Sequence, residues 1–186
     1  VALGNCGKKG CTDPTAINYD SSAKKDNGSC ILIGDNYEGG IVFYGDGLGG
    51  GLVATTADLS TAAEWGCYGT DLNGSDGTAI GTGYQNTIDL EAGCTNPGTA
   101  ADICANITLG GYSDWFLPSI FELELMYDNI GHDNSFSENL FWSSTEVDNI
   151  FAYTYNFHSI TCDATETIKP ERKNMGYYSV RAVRAF

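Results

Sequence analysis

The sequence predicts an α+β fold, because one strongly signalled helix accompanies several short strand patterns. The helix pattern covers 119–131, and strand patterns lie on both sides of it. Of the 186 residues, 42% are hydrophobic and 12% aromatic, which is ample for the packed core of one domain. Residues 1–33 are too poor in apolar side chains to form a core of their own. We therefore predict a small spacer module at 1–33 and one α+β domain at 34–186.

The N-terminal stretch is rich in turn-forming residues and needs a cross-link. A Cys11–Cys30 disulfide would supply one, worth about 3 kcal/mol on the chain-entropy estimate. Side chains that could bind calcium through oxygen are spread through the same stretch: Asp13, Asn18, Asp20 and Asp26. The same residue types also form turns without any metal. Ca²⁺ is therefore an allowed cofactor, and no cofactor is required.

Residues 39–55 predict a β-hairpin, because two apolar strands flank a glycine-rich turn. Thr61 and Glu64 have the spacing of a capping box, which predicts a short helix over 60–65. The following residues, 66–98, read as a loop, and a second helix is predicted over 100–109. Cys104 lies close enough in sequence to Cys94 to predict a second disulfide. A further disulfide is predicted, with weaker support, between Cys67 and Cys162.

The helix pattern at 119–131 has clear signals at both ends. Ser119 and Glu122 form a predicted capping box, and Gly131 predicts a left-handed exit. Its apolar stripe is Ile120, Leu123, Met126, Tyr127 and Ile130. Glu122, Asp128 and Asn129 lie off that stripe. After the helix, strands are predicted at 141–145, 151–157 and 178–186, and the last is expected to pair inside a sheet.

Charge and cysteine content limit the partners and the location. The chain has 24 acidic and 9 basic side chains, a formal net charge of -15, which repels nucleic acid and anionic lipid surfaces. No apolar run reaches the about 18 residues of a membrane span. Seven cysteines favour an oxidising, extracellular location, and we expect any targeting segment to have been removed or to lie outside this sequence.

Several short motifs occur in an order that resembles a known family. From residue 38 to 186 they are Glu64-Trp65-Gly66-Cys67, Gly81-Thr82-Gly83-Tyr84-Gln85-Asn86-Thr87, Trp115-Phe116-Leu117-Pro118-Ser119, Glu122-Leu123, Trp142-Ser143-Ser144-Thr145-Glu146 and Val180-Arg181-Ala182-Val183-Arg184. Together they resemble the domain family of the Legionella collagen-like adhesin C-terminus, abundant in Bacteroidetes surface proteins. Residues 10–30 resemble the Gly-Cys-Thr-Asp-Pro module of Bacteroidetes surface proteins.

The resemblance implies a C-type-lectin-like fold, with two main helices, short antiparallel sheets and a terminal strand paired near the start of the domain. It also implies a secreted or cell-surface, non-enzymatic binding or adhesion module. The Glu-Pro-Asn or Gln-Pro-Asp tripeptide and the Trp-Asn-Asp of calcium-dependent lectins do not occur. Calcium-mediated sugar binding at the usual lectin site is therefore not expected.

The predicted ligand face is the segment 148–173, whose mixture of aromatic and short polar side chains is typical of adaptable binding surfaces. The candidate contact residues are Asp148, Asn149, Tyr153, Tyr155 and His158. The alternative is that the aromatic residues of this segment face the core. The expected partner is an extracellular glycan or protein ligand, with neighbouring copies or other surface proteins as further candidates.

Two other functions stay open on the sequence. One is a structural subunit of an extracellular assembly. The other is an enzyme related to the formylglycine-generating oxidase, which shares the broader lectin-like fold but requires a dedicated cysteine pair that has no counterpart here. The two histidines, His132 and His158, have no positioned nucleophile beside them in the sequence, so catalysis is not expected.

Overall fold

Short sheets and helices alternate through the residues that the computed structural model describes: 7–132, 136–137, 139–158 and 167–186. The architecture is α+β, as predicted. The strands are β1 (Lys9–Gly10), β2 (Lys25–Asp26), β3 (Asn36–Tyr37), β4 (Gly40–Gly45), β5 (Gly51–Ala54), β6 (Ser60–Ala63), β7 (Leu140–Glu146), β8 (Phe151–Asn156), β9 (Ile168–Arg172), β10 (Tyr178–Val180) and β11 (Val183–Ala185). The helices are α1 (Gly83–Gly93), α2 (Ala100–Ala105) and α3 (Ile120–Ile130). None of these helices has the length and apolarity to cross a membrane.

The C-terminal segment ties two sheets together. One sheet has the order β11-β5-β4-β3 and contains the predicted hairpin, β4 and β5. The other has the order β6-β10-β7-β8-β9, in which β10 and β7 run parallel. The single strand predicted over 178–186 is therefore wrong in one respect. It divides into β10 and β11, which belong to different sheets. β11 pairs antiparallel with β5, and this pairing keeps the C-terminal strand ordered.

Helix α3 begins as predicted and ends differently. Ser119 accepts a hydrogen bond from the Glu122 backbone, and the Glu122 carboxylate accepts one from the Ser119 backbone N–H at 2.8 Å. The left-handed exit at Gly131 is wrong, because this residue has φ -66° and closes the last helical turn. A Cβ at this position would lie 2.6 Å from the Tyr127 backbone, so glycine is required here for space.

Two local predictions fail because long-range packing overrides short-range signals. The predicted helix over 60–65 is the strand β6, which pairs with β10, and the Glu64 backbone carbonyl accepts a hydrogen bond from Ala100 N at 2.9 Å. The predicted loop over 66–98 contains α1. Thr82 and Gln85 have the spacing of a capping box, but the Thr82 side chain makes no capping hydrogen bond in that helix. The second predicted helix is present but ends early, at Ala105.

The disulfides are one predicted pair and one corrected pair. Cys11 and Cys30 are bonded, with their Cα atoms 4.8 Å apart. Cys94 pairs with Cys67 and not with Cys104, because α1 ends beside Cys67 while Cys104 is fully buried on α2 as a free thiol. The second predicted pair, Cys67 with Cys162, is also wrong, because Cys67 is bonded to Cys94. Cys162 lies outside the described residues.

The N-terminal module packs against the domain through two apolar side chains. Ile17 and Ile31 lie against the main core and are joined by a backbone hydrogen bond of 2.8 Å. Around them the chain makes the parallel pair of β1 and β2 and a series of side-chain-to-backbone turns. The segment 7–33 is thus joined by one disulfide and several turns and contacts the main core, and its role as a separate spacer module stays a prediction.

Candidate functional site

The predicted ligand-binding residues do not meet in one site. Asp148 and Asn149 precede β8 and His158 follows it, so a six-residue strand of roughly 20 Å separates them. Asp148 Oδ1 accepts hydrogen bonds from the Ile150 and Phe151 backbones at 2.7 and 2.8 Å, which makes it a turn-forming residue. Asn149 and His158 are exposed. Residues 159–166 of the predicted face lie outside the described residues.

The aromatic side chains of β8 favour the core alternative. Tyr155 is only 4% exposed, and its ring lies 5.5 Å from that of Tyr127 on α3. Burial, with the nearby charges of Glu124 and Asp128, raises the pKa of Tyr155 to about 12. Tyr153 is half-buried against the same cluster. The Tyr155 side chain is therefore used in packing, which favours the core alternative, and its role as a ligand contact stays a prediction.

The four predicted calcium-binding residues serve as turn formers. The side chain of Asp13 accepts a hydrogen bond from the Thr15 backbone, that of Asp26 accepts one from the Gly28 backbone, and that of Asn18 accepts one from the Ile31 backbone. Asp20 accepts from Ser22 and pairs with Lys8, whose hydrogen bond lowers the pKa of Asp20 to about 2. Within the described ranges, no group of three or more His, Cys, Asp or Glu side chains is arranged to hold a metal ion. Calcium binding itself stays a prediction.

Charged motif residues form a buried network instead of a binding surface. Glu146 pairs with Lys173, and neither side chain is more than 4% exposed. Lys173 Nζ also donates to Thr70 O at 2.9 Å and lies 4.7 Å from the centre of the Trp65 ring. Arg181 Nη2 pairs with Asp58 at 2.5 Å, below the surface. These charges are enclosed by their partners, so they cannot also bind a ligand.

The motifs at 81–87 and 115–119 form a groove that was not predicted from the sequence. Gly83 lies against the segment 115–119, which we call the lead-in to α3. A Cβ on Gly83 would be 2.7 Å from Ser119 N. Thr87 Oγ1 donates to Gly83 O at 2.8 Å and accepts from Leu117 N at 3.0 Å. These contacts hold α1 along the lead-in. Between α1 and the lead-in lies a groove of about 350 Å³, which we call the α1 groove. Its lining residues are Tyr84, Thr87, Ile88, Glu91, Ala105, Ser113, Asp114, Trp115 and Phe116.

Tyr84 is the exposed aromatic side chain of the α1 groove. It is 52% exposed, and its ring meets that of Phe116 edge to face with 5.7 Å between centroids. Ile88 lies one helical turn further and is also exposed. The spacing of Tyr84, Ile88 and Glu91 is that of one helix face, and this periodicity is the signal that could have revealed α1 and the groove.

Two carboxyl groups make the α1 groove rich in hydrogen-bond acceptors. Asp114 is fixed by Arg184, whose Nε lies 2.5 Å from Oδ1, while about half of the Asp114 side chain remains exposed. Burial and the charge of Asp102 raise the pKa of Glu91, and a hydrogen bond from Asn106 opposes the shift. The free thiol of Cys104 lies near Glu91, but burial raises its pKa well above the usual value. That cysteine is therefore a poor nucleophile.

The chain matches no protein-family model and no curated protein. Its function is therefore inferred from its motifs and from the geometry of the α1 groove.

Proposed function

We propose that this protein is a secreted or cell-surface binding or adhesion module with a C-type-lectin-like fold, of the kind that the adhesin-like motifs imply. The pairing of β11 with β5 near the start of the domain supports this relationship, and the two disulfides are compatible with an extracellular location. No catalytic role is assigned to any residue.

The α1 groove is the proposed ligand site, and the exposed, fixed ring of Tyr84 is the observation that carries this proposal. Phe116 holds the ring from one edge, so little side-chain freedom is lost when a ligand stacks on it. Glu91, Ser113 and Asp114 contribute oxygen atoms to the lining of the same groove. An aromatic surface with a few polar groups at its border is the usual composition of a small-ligand site.

A glycan suits this arrangement best. A sugar ring offers an apolar C–H face for Tyr84 and hydroxyl donors for the carboxylates, which accept hydrogen bonds only. Sulfated or phosphorylated sugars are disfavoured, because the two acidic groups would repel them. Several copies of the site on one surface would strengthen adhesion, because linked sites bind at a high effective concentration.

Binding to an array of immobilised glycans tests the proposal. Tyr84→Ala should weaken binding to the glycans retained by the wild-type protein by about tenfold, and chelation of calcium should leave it unchanged. Tyr177→Ala is the matched control, because Tyr177 is 57% exposed but does not line the groove. The proposal fails if both tyrosine variants bind like the wild type, or if no neutral glycan is retained.

A further inference from the structure

A second recessed surface lies on the side of α3 that faces away from the core. Ala79, Ile80, Phe121 and Leu125 form its apolar walls, and Glu124 and Asp128 are its acidic lining residues. We call this surface the α3 recess; its volume is about 350 Å³. Ile80 and Phe121 are each 43% exposed, although both are large apolar side chains. The recess thus combines exposed apolar walls with two acidic side chains.

The walls of the α3 recess are held rigidly to each other. Phe121 N donates to Thr78 O at 3.2 Å, and Ser119 Oγ donates to Ala79 O at 3.0 Å. Gly81 N donates to the buried Glu122 carboxylate at 2.7 Å. The loop that carries Ile80 is therefore fixed to the first turn of α3 on both sides. A surface prepared in this way loses little entropy when a partner binds.

Charge restricts what can occupy the α3 recess. Of the described residues that line it, none is positively charged, and two are acidic. The chain as a whole carries a formal charge of -15. A second copy of this chain would bring further negative charge to the same place, and an anionic lipid surface would be repelled. A cationic partner with an apolar side chain could pack against the apolar walls and pair with the acidic residues.

We propose that the α3 recess binds a protein segment in which an apolar side chain is flanked by lysine or arginine. The apolar side chain packs against Ile80, Phe121 and Leu125, while the cations pair with Glu124 and Asp128. This surface is separate from the α1 groove, because the two share no lining residue. The inference therefore does not depend on glycan binding.

A library of random peptides of about ten residues, displayed on phage, tests this inference. The library is selected on the wild-type protein after removal of phage that bind Phe121→Ser. Enriched peptides should contain an apolar residue beside Lys or Arg, and as synthetic peptides they should bind Phe121→Ser about tenfold more weakly. Tyr84→Ala should bind them like the wild type.

The double variant Glu124→Gln/Asp128→Asn separates charge from folding, because it leaves the apolar walls intact. It should weaken peptide binding about threefold to tenfold and flatten its salt dependence. Enrichment of acidic or uncharged peptides would overturn the inference, as would peptides that bind all variants equally. Sedimentation that shows a wild-type dimer dispersed by Phe121→Ser would also overturn it, because the occupant would then be a second copy.

Discussion

The buried charge network and the α1 groove use similar side chains in opposite ways. In the network, Glu146 accepts hydrogen bonds from Leu72 N at 3.0 Å and Ser75 Oγ at 3.2 Å and pairs with Lys173. In the groove, Glu91 and Asp114 keep part of their surface open beside an exposed ring. An enclosed carboxylate stabilises a fold, whereas a fixed but open one can accept hydrogen bonds from a ligand.

The motifs that contain Trp65 and Trp142 specify contacts within the fold, whereas a ligand would contact the open groups of the α1 groove. The indole N–H of Trp65 donates to Ser143 O at 2.7 Å, and that of Trp142 donates to Ala63 O at 2.9 Å. The two tryptophan motifs therefore join β6 and β7 to each other. They maintain the scaffold, and they can recur in proteins that bind different ligands.

The largest expected effect is the loss of one partner from the buried pair. Lys173→Met would leave Glu146 charged without its ion-pair partner, and we expect a loss of about 3–5 kcal/mol in the free energy of unfolding. Lys25→Met is the control, because Lys25 is exposed and its replacement should change stability by less than about 0.5 kcal/mol. Urea unfolding measures both. Similar values for the two variants would show that the pair is not enclosed.

The two disulfides should differ in what they support. Cys67→Ser/Cys94→Ser removes the bond at the end of α1, and for 27 residues of separation the chain-entropy estimate is about 3–4 kcal/mol. Glycan binding should weaken with it, because α1 forms one wall of the groove. Cys11→Ser/Cys30→Ser should loosen the N-terminal module and leave glycan binding unchanged. Thermal melting and array binding test this, and equal loss of binding in both double variants would contradict it.

A smaller effect should appear in the pH dependence of stability. Burial raises the pKa of Glu122 above 4.5, although hydrogen bonds from Ser119, Gly81 and Gly83 oppose the shift. A raised pKa means that the folded state binds the proton more tightly. The resulting stabilisation is complete below pH 4.5 and is lost as the pH rises through the folded-state pKa. Relative to Glu122→Gln, the wild type should therefore lose stability as the pH rises above 4.5 and through the folded-state pKa.

Urea unfolding at a series of pH values measures the Glu122 difference, and Glu91→Gln provides the comparison in the groove. Glu91 is less enclosed, so its replacement should change stability less. A wild-type protein that gains stability over Glu122→Gln as the pH rises would contradict the assigned direction.

The sequence could predict features whose signals are local. The capping box of Ser119 and Glu122, the hairpin and the Cys11–Cys30 bond all follow from residues close together in the chain. The buried pair of Arg181 with Asp58 joins residues 123 positions apart, and no local pattern indicates it. Helix α1 was not predicted because glycines occupy both of its ends, and glycine is a poor helix former that favours loops. The groove was missed with it, since Tyr84 and Glu91 are neighbours of Asp114 only once α1 is formed.

The most direct measurement is a map of amide chemical shifts during titration with the neutral oligosaccharide that the array retains best. If the α1 groove binds it, the largest changes should lie at Tyr84, Ile88 and Glu91 and at 113–115, with little change at Lys173 in the buried network. Changes concentrated at Asn149, Tyr153 and His158 would contradict this account and would return the ligand site to the face predicted from the sequence.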